Sequence, residues 1–196
     1  MEPKYNTAAY VASYGTAAQL PKSTLPELAF AGKSNVGKSS LMNTLFSRKS
    51  LVKVSSKPGK TTTINFFSVG EVYFCDLPGY GYAKVAGTER KRWADMMEHY
   101  FSSGRDIHLC VQLLDMRHSP TADDRVMLGF LRDIGIPYII VLTKSDKLNK
   151  TERQTRLSKL RDELAFLGEH PEPIPFSAQN REGLDEIKAA IAAAIC

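Results

Sequence analysis

A short apolar run, Leu28-Ala29-Phe30-Ala31, stands directly before Gly-Lys-Ser-Asn-Val-Gly-Lys-Ser at residues 32–39, and a helical pattern opens directly after it. Strand, glycine loop and helix in that order restrict the chain to a phosphate-cradling α/β architecture. The reason is steric and electrostatic. Gly32 and Gly37 lack a Cβ, so the backbone can adopt left-handed or crowded conformations that turn successive N–H groups inward around a polyphosphate. Lys33, Ser34, Asn35 and Val36 complete that cradle with main-chain groups. Lys38 adds a cation for the β- and γ-phosphates, Ser39 offers a hydroxyl to Mg²⁺, and the helix beginning there points its positive end at the anion.

The rest of the chain alternates. Strand patterns occur at 28–31, 65–69, 72–76, 107–115, 138–143 and 174–176, and helical patterns at 39–46, 88–102, 121–133, 151–167 and 184–195. Several strand runs are continuously apolar, as strands covered on both faces are. The expected fold is α/β, a P-loop domain with a mostly parallel six-stranded sheet and helices on both faces. Gly70-Glu71 between two strand runs is a two-residue hairpin signal, so one strand is expected to run antiparallel at the edge. Residues 1–26 are polar and mixed, and read as an extension packed on a domain spanning 27–196. Leu184, Ile187, Ile191 and Ile195 form one core stripe, and Trp93, Met97 and Tyr100 share a core-facing side of their helix.

With 196 residues and 43% hydrophobic content the chain can bury one sizeable core. No apolar run is long enough to cross a bilayer, so a cytoplasmic protein without membrane partners is expected. Cys75, Cys110 and Cys196 are far apart and read as reduced thiols. The formal charge of +5 makes a polyanionic partner plausible. Basic residues gather at 48–60, at 90–92 and at 147–161. Such blocks suit RNA phosphates, and equally suit a solvated helix face laced with Glu152, Asp162 and Glu163.

Four further motifs follow in order. Lys57-Pro58-Gly59-Lys60-Thr61-Thr62-Thr63 is a polar loop whose Thr61 hydroxyl can reach Mg²⁺ beside GTP. Asp76-Leu77-Pro78-Gly79 ends a strand, setting a carboxylate near the second shell of that ion and an N–H of Gly79 near the γ-phosphate. Thr143-Lys144-Ser145-Asp146 reads the base: the Asp146 carboxylate accepts from guanine N1–H and its exocyclic amine, while the Lys144 stem covers the ring. Phe176-Ser177-Ala178 offers a backbone N–H to the guanine carbonyl. Tyr80 stands where many GTPases carry a water-orienting glutamine, so slow hydrolysis is expected. The Asn35 position resembles that of the K⁺-binding asparagine of potassium-activated GTPases, which makes it a candidate K⁺ ligand, with a loop brace as the alternative, and Arg117 and His118 suit either an ion pair or a contact to RNA.

The ordered set GKSNVGKS, PGKTTT, DLPGYGYAK, LLDMRHSPTADD, TKSD and FSA resembles the EngB family of bacterial GTPases, also called YihA or YsxC, over essentially the whole chain. The resemblance implies a Ras-like fold, Mg²⁺-dependent binding of GTP and GDP, assistance to assembly of the large ribosomal subunit, and a requirement for normal division and septation. By position it implies nucleotide contacts from Gly32 to Ser39, from Gly59, Lys60, Thr61, Thr62 and Thr63, from Asp76 to Gly79, from Thr143 to Asp146 and from Phe176 to Ala178. Ser39 and Thr61 are the implied Mg²⁺ ligands, and Lys38, Thr61 and Gly79 the catalytic groups. Lys60 departs from the arginine common in the family, keeping the charge without the bidentate fork. The expected partners are guanine nucleotide and the large ribosomal subunit or its RNA precursor, with a monomer as the default. A division-linked adaptor acting through a protein partner, and a small-molecule phosphotransferase, are the alternatives.

Overall fold

The computed structural model describes residues 3–53, 63–81 and 87–195, without the side chains of residues 89 and 90. Its elements run β1 (Ala9–Tyr14), β2 (Glu27–Gly32), α1 (Lys38–Leu45), β3 (Ile64–Val69), β4 (Val72–Asp76), α2 (Gly87–Ser102), β5 (Ile107–Asp115), α3 (Ala122–Asp133), β6 (Tyr138–Thr143), α4 (Lys150–Leu164), β7 (Ile174–Pro175) and α5 (Leu184–Ala194). The strands form one sheet in the order β1-β3-β4-β2-β5-β6-β7. β2, β4, β5, β6 and β7 are mutually parallel, whereas β3 pairs antiparallel with both β4 and β1.

This sheet has one strand more than the six expected, and the antiparallel strand is not its edge. The addition is β1, drawn from the segment read as an extension. Its residues are half-buried or exposed, so no apolar run announces it. It is held by pairing with β3 and by edge-on ring contacts of Tyr10 with Phe67 and Tyr14 with Phe66, each of such pairs adding about 1 kcal/mol.

Alternation along the central strands sorts the core into two layers. Leu28 and Phe30 of β2 pack with Leu41, Met42 and Leu45 of α1 and with Ile187 and Ile191 of α5. Ala29 and Ala31, pointing the other way, meet Met96, Tyr100 and Met127 from α2 and α3. Small residues on that face let these helices sit close. Farther along, Leu160 and Leu164 of α4 cover Ile140 and Leu142 of β6. Trp93, Met97 and Tyr100 do belong to the core cluster of α2, as their spacing predicts.

β2 begins one residue earlier than its apolar run because Glu27, wholly buried, is fully paired. Arg105 donates to both carboxylate oxygens, with Nε–Oε2 at 2.9 Å and Nη2–Oε1 at 2.6 Å, and Tyr100 and Ser23 add hydroxyl donors. Capping boxes start α3 at Thr121 with Asp124 and α4 at Asn149 with Glu152, fixing both helix entries. α4 ends at Leu164 and tightens into a 3₁₀ turn over Ala165–Leu167, where the sequence pattern reads as continuous helix. Among the described residues no helix is long and apolar enough to cross a membrane.

Candidate nucleotide site

The expected residues within the described parts gather at the carboxyl ends of β2, β4, β6 and β7, the end where open parallel sheets bind ligands. Gly59, Lys60, Thr61 and Thr62 lie outside the described residues, as do Lys57 and Pro58.

The loop after β2 takes the shape its glycines permit. A Cβ at Gly32 would lie 2.9 Å from Val36 Cγ1 and 3.1 Å from the Leu113 carbonyl oxygen. Gly37 caps α1 at φ 115°, a conformation closed to side-chain-bearing residues. Asn35 adopts the left-handed region at φ 61°, which asparagine tolerates. Its carbonyl, rather than its exposed side chain, braces the loop by accepting from Lys144 Nζ at 2.8 Å. Val36 is buried, and its carbonyl accepts from Thr143 Oγ1 at 2.6 Å. Ser39 sits half-buried in the first turn of α1.

Lys38 opens α1 and pairs with Asp76 at the end of β4. Leu77 is buried and donates to the Phe30 carbonyl, which fixes the chain leaving β4 beside the loop. Pro78 accepts from the Trp93 indole at 3.1 Å. Gly79 then runs so near the loop that a Cβ there would lie 2.8 Å from Ser34 Oγ and 3.1 Å from Ser34 N and Cα. The Ser34 N–H donates to the Tyr80 carbonyl at 2.9 Å, and Lys33 forms an isolated parallel bridge with Tyr80. Thr63 closes this side by donating to Asn65 at 3.1 Å.

Tyr80 turns away from the loop. Its phenol donates to Asp124 at 2.6 Å and accepts from Gln112 at 2.6 Å, and its ring meets Trp93 edge-on. Burial first, then the neighbouring Asp124 carboxylate, push this phenol well above its ordinary pKa, so it remains a donor. Tyr80→Phe is expected to lower stability by about 1–3 kcal/mol, because two buried partners lose their hydrogen bonds. Urea denaturation reads that loss, while guanine nucleotide affinity stays near the parent value.

On the other side of the loop, Lys144 at φ 61° bridges Asn35 and Asp115, reaching the latter at 2.9 Å. Arg117 grips the same carboxylate with two donors at 2.9 and 2.7 Å. Burial works against the charge on Asp115, but Arg117 and Lys144 outweigh it and hold the carboxyl far below its usual range. Of the two uses open to Arg117, the ion pair is the one present. Asp146 accepts from Ser177 Oγ at 2.8 Å and from Lys147 at 3.0 Å, and these hydrogen bonds overcome its partial burial to lower its pKa. Ser145 is buried and donates to Glu182 at 2.7 Å, and its N–H reaches the Phe176 carbonyl. Phe176 is buried in the core, Ser177 is wholly buried beneath Asp146, and Ala178 is exposed.

Sequence reasoning missed the braces. Glu182 holds Ser145 and pairs with Arg153, and Asn65 donates to Asp76 at 3.1 Å. None of the three lies in a phosphate or base motif, and only the register of the sheet brings Asn65 opposite Asp76. The basic run of α4 is partly spent inside the protein, since Arg153 pairs with Glu182 and Arg156 with Glu163, while Lys150, Lys159 and Arg161 stay exposed. Among the described residues no cluster of three histidine, cysteine or acidic groups could hold a metal. The oxygen donors at the loop, the Ser39 hydroxyl and the Asp76 carboxylate, suit a hard cation such as Mg²⁺.

A sequence profile described as 50S ribosome-binding GTPase matches residues 27–144. The chain is 47% identical over 193 residues to a probable GTP-binding protein EngB of Exiguobacterium sp., covering 98% of each protein. It is 46% identical over 189 residues to that of Oceanobacillus iheyensis, covering 96% of each. Its fold matches a crystal structure of a probable GTP-binding protein engB with a TM-score of 0.69 and 25% identity, over 86% of this chain and 98% of the other. Era in complex with MgGDPNP and a segment of 16S ribosomal RNA shares the fold at a TM-score of 0.65 and 22% identity, over 89% of this chain and 58% of that one. Phosphate loop, Asp76 turn and base-reading tetrad thus stand in a chain matched nearly end to end, and the protein belongs to the EngB family of GTP-binding proteins.

Proposed function

We propose that the protein is a slow, Mg²⁺-dependent GTPase switch of the cytoplasm that assists assembly of the large ribosomal subunit, and through it serves normal division and septation. The observation that carries this reading is the single brace between phosphate loop and base tetrad: Lys144 donates to the Asn35 carbonyl while Thr143 donates to that of Val36. Two motifs more than a hundred residues apart share one rigid frame, as a ligand spanning polyphosphate and guanine requires.

In this reading Gly32 to Ser39 hold the phosphates, Lys38 exchanges Asp76 for phosphate oxygens, and Asp146 selects guanine. Ser39 and Thr61 would hold Mg²⁺ with the Asp76 carboxylate near its second shell, and the ion would supply positive charge to the phosphates. The Gly79 N–H reads the γ-phosphate, and the preceding Pro78 carbonyl, which accepts from the Trp93 indole at 3.1 Å, passes that reading to α2. Because the Tyr80 side chain is locked to Asp124 and Gln112, it cannot orient water. Unassisted hydrolysis on the order of 10⁻⁴ to 10⁻² per second is expected. K⁺ near Asn35 is a candidate stimulant, checked by comparing rates in KCl and NaCl.

The exposed Lys150, Lys159 and Arg161 supply the electrostatic side of ribosome contact. Co-sedimentation with purified large subunits should be about tenfold tighter with a GTP analogue than with GDP, the scale of a 1–3 kcal/mol coupling, and should weaken as salt rises. Binding that ignores the nucleotide, or no binding, sinks the ribosomal part of the reading and favours a protein-directed adaptor.

A further inference from the structure

Asp76 presents its two carboxylate oxygens to different partners. Oδ1 pairs with the Lys38 ammonium, and Oδ2 accepts from Asn65 Nδ2 at 3.1 Å. Asn65 lies directly across the β3–β4 ladder from Asp76. Its own amide is fixed on the far side, where Oδ1 accepts from Ser13 Oγ at 2.6 Å and from Thr63 Oγ1 at 3.1 Å. Turning this amide over would set its oxygen against a carboxylate, two acceptors with no proton between them.

Ser13 is the register partner of Asn65 on β1, the outermost strand, and its hydroxyl also meets Tyr10 Oη at 2.9 Å. The exit of β1 makes a second tie. Arg92 of α2 donates to the Gly15 carbonyl from Nε at 2.9 Å and Nη2 at 2.6 Å, and a Cβ at Gly15 would lie 3.8 Å from Thr63 Cγ2. One short stretch therefore touches the residues on both flanks of the phosphate site, Thr63 to Asn65 and α2.

We infer that Asn65 is a positioning residue for the nucleotide site: its amide sets the rotation of the Asp76 carboxylate and so couples Ser13, on the outermost strand, to Lys38. With Oδ2 held by the amide, Oδ1 faces the phosphate loop. Without the amide the carboxylate rotates freely and its approach to Lys38 or to a Mg²⁺-bound water loses definition. The inference rests on the reading of this pocket as a Mg²⁺-guanine nucleotide site.

Fluorescent GDP, titrated into the full chain across a Mg²⁺ series and again in EDTA, tests it. Asn65→Ala should raise the Mg²⁺ concentration for half-maximal effect by about tenfold, the scale of one charge-assisted hydrogen bond, with the EDTA affinity within about twofold of the parent. Ser13→Ala should raise it by about threefold alone and add nothing in the Asn65→Ala background. An unmoved Mg²⁺ midpoint in Asn65→Ala, or additive effects, overturns the inference while leaving the nucleotide site intact. Should Asn65→Ala fail to fold, Ser13→Ala on the exposed edge decides alone, and an unchanged midpoint overturns the coupling. A parent chain that binds no GDP at any Mg²⁺ concentration defeats the functional reading and this inference together.

Discussion

Asp146→Asn is expected to lower affinity for GTP and GDP by about 100- to 1,000-fold and to admit xanthosine nucleotides in their place. The magnitude follows from two charge-assisted hydrogen bonds to the purine edge, about 1.5–3 kcal/mol each, less what the amide oxygen retains. The fold should survive the change. Ser177 Oγ, which donates to Oδ1 at 2.8 Å, can donate to the amide oxygen equally well, and the contact with Lys147 lies at the surface. The new amide N–H₂ opposes the guanine amine but meets the carbonyl that xanthine carries at the same carbon. Titration of both nucleotide series against parent and variant reads the exchange; an unaltered preference for guanine would remove Asp146 from its assigned role.

Gly183→Ala should be the most damaging alanine substitution among the described glycines, lowering stability by about 3–5 kcal/mol. Gly183 caps α5 at φ 74°, and a Cβ there would lie 2.0 Å from the Pro175 carbonyl oxygen. Alanine thus incurs both the left-handed penalty and a collision with backbone that no rotamer change relieves. The damage reaches the site, because Pro175 precedes Phe176 and Ser177, and the Ser177 hydroxyl holds Asp146. Gly129→Ala is the control: this glycine lies within α3 with nothing near its absent Cβ, so alanine should be neutral or stabilising by up to about 1 kcal/mol. Urea denaturation of the two variants beside the parent separates them, and similar midpoints for both would contradict the packing described here.

Much of the site is legible in the sequence because its motifs are local. Glycine positions, a lysine and a serine at fixed spacing, and a tetrad closing an apolar run require no knowledge of what packs nearby, and in the structure Gly32 and Gly37 form the tight loop with Lys38 opening α1 after it. The central strands are equally plain, since burial on both faces demands continuous apolar runs. β1 escapes such reading because an edge strand needs only a partner's free ladder, and its own residues stay half-wet. Glu27 escapes for a related reason: a buried carboxylate is tolerable only with Arg105, which arrives from 78 residues away. Tyr80 is visible as a departure from the usual glutamine, but its direction depends on Asp124 and Gln112, each on a different element. Asn65 carries no motif at all, and its place opposite Asp76 is set by the hairpin register.

The account stands on one pocket that recognises guanosine phosphates. Isothermal calorimetry of the full chain with GDP, GTP, ADP and ATP in Mg²⁺ buffer tests it most directly. The account predicts clear heats for both guanine nucleotides and affinity at least about 100-fold weaker for the adenine pair, whose purine edge offers Asp146 no matching donors. Absence of heat with GDP and GTP, or equal affinity for ADP, would contradict it.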